Sequence, residues 1–100
     1  MFHEHVILKY TFLKKIAQLS CVKKIILFGS RARQDNMPLS DIDVAIDCSG
    51  ATDKEWCMIL AIVDNADTLL HIDCIRYDKL SDDSAFKKQI DKDAVIIYEK

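Results

Sequence analysis

One hundred residues, half of them hydrophobic and 30% charged, with a net charge of −2, describe one folded domain spanning residues 1–100 and exclude a disordered chain. The weak acidity and the scattered Lys and Arg leave no basic footprint, which disfavours nucleic acid as a partner. No apolar run approaches the roughly 20 residues needed to cross a bilayer, and Met1-Phe2-His3-Glu4-His5 lacks the basic opening of a signal peptide, so the expectation is a cytoplasmic protein that does not engage membranes.

Val6, Tyr10, Leu13, Ile16 and Ala17 recur at helical spacing and predict a helix from about the N-terminus to Leu19. Lys23 to Phe28 is an apolar, isoleucine-bearing run stopped by Gly29, which reads as a buried strand, and Ser30 to Gln34 reads as the opening turn of a helix. Asp35-Asn36-Met37-Pro38 has the chemistry of a loop, and Ile42 to Ile46 forms a second strand that ends at Ser49-Gly50. Thr52 with Glu55 is a capping box, and Trp56, Ile59, Leu60 and Val63 supply the buried stripe of the helix behind it. A third strand is expected from Leu69 to about Ile75, a helix from Ser81 to Lys92 with Phe86 and Ile90 facing the core, and a last strand from Ala94 to Tyr98. The order predicts a single small α/β (α+β) domain whose mixed sheet of about four strands is flanked by helices. Cys21, Cys48, Cys57 and Cys74 are widely spaced with no C-x-x-C pair, so neither a disulfide framework nor a zinc site is expected.

The chemistry concentrates in Gly29-Ser30-Arg31-Ala32-Arg33 and Asp41-Ile42-Asp43, with ten residues between Ser30 and Asp41. A glycine between strand and helix lets the chain bend and lets a phosphate approach, and Ser30 adds a hydroxyl donor beside unpaired amide groups. Arg31 and Arg33 project from the same turn as candidates for phosphate contact. Asp41 and Asp43, two apart on a strand, present their carboxylates on one face, where they repel each other unless a cation intervenes. Oxygen ligands of this kind suit Mg²⁺ or Mn²⁺. Asp73 is a lone acid in an apolar strand, and if that strand neighbours the Asp41 strand it completes a three-carboxylate site and takes a proton from an attacking hydroxyl.

Gly29-Ser30, ten residues, then Asp41-x-Asp43 resembles the signature of the minimal nucleotidyltransferases, within the DNA-polymerase-β-like superfamily, and the likeness extends over nearly the whole chain. The resemblance implies the nucleotidyltransferase fold, and a triphosphate, expected to be ATP, on Gly29 and Ser30, with Arg31, Arg33 and Ser40 also at the nucleotide. It further implies metal ions on Asp41, Asp43 and Asp73, with deprotonation by Asp73. Members of this size resemble antitoxin halves of two-gene systems with an all-helical HEPN partner, some of which transfer AMP onto a partner tyrosine. Assembly as a homodimer or hetero-oligomer is the matching expectation. Two alternatives stand beside transfer to a protein: a non-catalytic antitoxin that neutralises its partner by covering it, and a transferase for a small antibiotic-like acceptor. The sequence departs from the pattern in two places, Gln34 and Lys92-Asp93-Ala94, where the family often has glycine.

Overall fold

The computed structural model describes residues 9–100, so Val6 and the His3-Glu4-His5 segment lie outside the described residues. Four strands form one sheet: β1 (Lys24–Phe28), β2 (Ile42–Asp47), β3 (Ile72–Arg76) and β4 (Val95–Glu99), in the order β3-β2-β1-β4. β1 pairs antiparallel with β2 and with β4, whereas β2 and β3 run parallel, as the helix between them requires. The helices are α1 (Thr11–Ala17), α2 (Gly29–Arg33), α3 (Asp53–Asp64) and α4 (Ala85–Asp93).

Strand alternation divides the core. On one face Leu13 and Ile16 of α1 and Ile59 of α3 cover Ile25, Ile42, Val44 and Ile46, all with no exposed surface. Full burial of such a side chain is worth roughly 1.5–3 kcal/mol, so this layer dominates the stability of the fold. On the other face Ile90 of α4 covers Ile26, Phe28 and Ala45 in a smaller cluster. Only this thinner layer leaves room at the sheet edge for polar groups.

Thr52 and Glu55 form the predicted capping box: Glu55 N–H donates to Thr52 Oγ1 at 3.1 Å and Thr52 N–H donates to Glu55 Oε1 at 2.9 Å. Three expectations shift. β3 begins at Ile72 and not Leu69, because Thr68 Oγ1 takes the Leu70 N–H at 3.1 Å and turns the chain, leaving Leu69 fully exposed. α4 begins at Ala85 and not Ser81: Ser84 is the residue whose hydroxyl caps Lys87 N–H, while Ser81 closes the preceding turn. Phe86, expected in the core, is 46% exposed and only lays its edge against Phe28, with ring centroids 6.2 Å apart.

The four cysteines are free thiols. Burial pushes the thiols of Cys48 and Cys74 up to about 11 and about 12, which makes them packing groups and not nucleophiles. Beyond the carboxyl end of β2, Arg76 pairs with Asp78 at 3.1 Å and donates to Ala51 O at 2.9 Å, while Asp78 accepts Cys48 N–H at 3.0 Å. This largely buried network satisfies the backbone of the loop that leads into α3.

α2 ends at Gln34 in the left-handed region, φ 65°. A side chain there costs about 1 kcal/mol that glycine escapes. Gln34→Gly is therefore expected to stabilise the domain, with relief of about 1 kcal/mol raising the thermal midpoint by roughly 4–8 °C. Thermal unfolding followed by circular dichroism measures this, and a lowered midpoint would show that the Gln34 side chain contributes more than its backbone costs.

Candidate active site

The register assembles the site. Phe28 lies opposite Asp43, and Asp43 lies opposite Asp73, so the end of β1, the start of β2 and the start of β3 meet at one edge of the sheet. Paired residues on adjacent strands share a face roughly 5 Å apart, which sets the Asp43 and Asp73 carboxylates side by side. Ile42 and Val44 point the other way into the larger core, as the alternation predicts. Asp41 falls one residue before β2, whose pairing with the third segment opens where Ile42 N–H donates to His71 O at 2.9 Å.

These aspartates act on one another electrostatically. The Asp43 carboxyl is held above the usual carboxylate range, first by burial, then by the neighbouring Asp73 and Asp41, with His71 and Arg33 opposing. A divalent cation would remove that penalty, and an all-oxygen donor set fits Mg²⁺ or Mn²⁺. Among the described residues no three acidic, His or Cys side chains close on a single point as they stand. The backbone brings Asp41, Asp43 and Asp73 to one edge, and rotation of the exposed Asp41 and Asp73 side chains is the movement an ion would demand.

Gly29 abuts this edge with φ 73°, and a Cβ placed on it would overlap Asp43 Oδ2 and come 3.1 Å from Asp43 Cγ. Both the backbone angle and the space therefore require glycine. Ser30 follows in α2, half-buried, beside the first amide groups of the helix, which have no partner inside it. α2 is only five residues long, so it offers free amides at its start more than a helix dipole.

The arginines are engaged within the chain. Arg31 donates from Nε to Asp41 O at 3.2 Å and Ser40 O at 3.3 Å, and from a terminal nitrogen to Ser40 O at 2.8 Å and Pro38 O at 3.3 Å. Arg33 bridges Asp35 at 3.0 Å and Asp93 at 2.8 Å, and those two hydrogen bonds hold its guanidinium above its ordinary range. Ser40 Oγ accepts Met37 N–H at 2.9 Å and closes the turn ahead of Asp41. Asp93 ties α2 to α4 through Arg33, a pairing that residue spacing alone does not reveal. A signal existed, because an acid in the last turn of a helix opposes the dipole and needs a compensating cation.

With a four-stranded mixed sheet and helices of this order, the fold is that of a polymerase-β-like nucleotidyltransferase. The family model described as "Polymerase beta, Nucleotidyltransferase" matches residues 12–100, and the chain belongs to that family as a minimal-nucleotidyltransferase-like enzyme domain. The fold is similar to that of a chain in a solved structure described as "Crystal structure of the toxin-antitoxin with AMP-PNP", with a TM-score of 0.61 and 18% identity over 99% of this chain and 75% of that one. No curated protein sequence matches. Among the described residues no helix is long and apolar enough to cross a membrane.

Proposed function

We propose that this chain transfers AMP from ATP onto a hydroxyl of a protein partner, a tyrosine of a helical HEPN-type toxin, and thereby acts as an antitoxin. The observation that carries the reading is the close contact of Gly29 with Asp43 beside Asp73, which brings the strand-to-helix turn and its free amides directly against paired carboxylates. Membership of the nucleotidyltransferase family supports the reaction type, and the likeness to a chain from a toxin–antitoxin with AMP-PNP supports the donor and the kind of partner.

In this reading Asp41, Asp43 and Asp73 hold Mg²⁺, which when bound supplies Lewis-acid stabilisation of the triphosphate and of the charge that develops on it. Gly29 lets the backbone of the turn lie against Asp43 with no side chain between them, and the amides of α2 with the Ser30 hydroxyl donate to the triphosphate oxygens. The acceptor oxygen attacks the α-phosphorus, the bond from that phosphorus to the bridging oxygen breaks, and pyrophosphate departs. Asp73, on the exposed edge strand, takes the hydroxyl proton.

Intact-mass spectrometry of a HEPN-type partner incubated with this chain, ATP and Mg²⁺ tests the proposal. One or more added AMP masses are expected. An unmodified partner that is still fully neutralised, including by the Asp41→Asn/Asp43→Asn double variant, would replace the transferase with a covering antitoxin.

A further inference from the structure

The three aspartates are not held in the same way. Asp43 is fixed by sheet pairing on both sides, to Phe28 and to Asp73, and Asp73 is fixed from one side by Asp43. Asp41 precedes the ladder, and its carbonyl is taken by Arg31 Nε at 3.2 Å. The same guanidinium gathers the carbonyls of Ser40 at 2.8 Å and Pro38 at 3.3 Å. Those carbonyls converge because the segment is folded into a turn, with Ser40 N–H on Met37 O at 3.1 Å and Met37 N–H on Ser40 Oγ at 2.9 Å. The turn has no apolar anchor of its own: Met37 is 71% and Leu39 82% exposed. Its place against the site thus rests on one planar, forked donor that spans from α2 to the start of β2.

We propose that Arg31 is a positioning residue that presents Asp41 to the metal. The inference rests on the reading of Asp41 as a metal ligand given above. Nε and one terminal nitrogen of the guanidinium are committed to three backbone carbonyls, so the fork is spent on the loop. Lysine cannot substitute, because a single ammonium keeps the charge but not the fork that bridges three carbonyls.

Charge and position make opposite demands, which gives the test its sign. By charge alone, removing a cation beside a cluster of carboxylates strengthens binding of a divalent ion, whereas loss of ligand orientation weakens it about 10–100-fold. Mn²⁺ binding without nucleotide, followed by electron paramagnetic resonance, should therefore weaken about 10–100-fold in both Arg31→Ala and Arg31→Lys. Hydrogen exchange at the amides of Met37 and Ser40 should accelerate about 10-fold or more in both variants of the metal-free protein. In an Asp41→Asn background, Arg31→Ala should weaken Mn²⁺ binding no further. Unchanged exchange, tighter Mn²⁺ binding in Arg31→Ala, or restoration of wild-type Mn²⁺ affinity by Arg31→Lys would each overturn the proposal. Wild-type protein that binds no Mn²⁺ would instead remove the metal reading of Asp41, while the exchange rates would still report whether Arg31 holds the turn.

Discussion

Asp43→Asn is expected to reduce nucleotide transfer about 10³-fold or more, since the Lewis-acid term it disrupts is worth several kcal/mol and each 1.4 kcal/mol is a factor of ten. Asp43 is the carboxylate that touches every part of the site: it opposes Phe28 and Asp73, it fills the space above Gly29, and it shares the field of Asp41. The same substitution should stabilise the metal-free fold. Burial and the two neighbouring acids raise the Asp43 carboxyl in the folded state. As pH rises, the unfolded chain therefore loses this proton first, and the fold loses stability between the unfolded and the raised folded value. In EDTA at pH 7 the variant should melt above wild type, and the two should converge as the pH falls below the usual carboxylate range. Steady-state transfer rates and a pH series of thermal midpoints measure both halves. Equal activity, or a variant that melts lower in EDTA at pH 7, would contradict the assignment of Asp43 as an electrostatically strained ligand.

Gly29→Val should abolish triphosphate binding by at least about 100-fold, whereas Ser30→Ala should cost about 5–10-fold, the value of one hydrogen bond. The difference follows from the structure of the turn. At φ 73° a branched residue is strained by about 1–3 kcal/mol, and its Cβ would strike the Asp43 carboxylate. The valine therefore displaces the Asp43 carboxylate and strains the turn together, while the serine change removes one donor from an intact turn. A lowered thermal midpoint is expected for Gly29→Val and little change for Ser30→Ala. Titration of AMP-PNP into both variants gives the ratio, and similar affinities in two folded proteins would exclude the Gly29 turn as the triphosphate site.

Much of this site was legible because its chemistry is local in sequence. Gly29 and Ser30 follow a strand, Asp41 and Asp43 alternate with buried Ile42 and Val44, and Thr52 with Glu55 announces the helix that carries the chain across to β3. The strand order was not legible, so the pairing of Asp43 with Asp73 had to wait for the register that closes β2 onto β3. Arg31 illustrates a second limit. Its partners are backbone carbonyls of Pro38, Ser40 and Asp41, which no residue type advertises, so its hold on this turn could not be read from sequence. At α4 two serines offered the same capping signal, and only the geometry separates Ser84, which caps Lys87, from Ser81, which does not begin the helix. Phe86 kept helical spacing with Ile90 yet sits at the margin of the smaller core, because that layer ends at Phe28.

The central claim is that the Gly29 turn and the three aspartates form one nucleotide and metal site. A crystal structure of this chain with AMP-PNP and Mn²⁺, with the metal located by its anomalous scattering, tests it most directly. The account expects manganese bound by Asp41 and Asp43, with Asp73 turned toward it and the triphosphate lying along Gly29 and Ser30. Manganese away from these aspartates, or a triphosphate bound elsewhere on the chain, would contradict it.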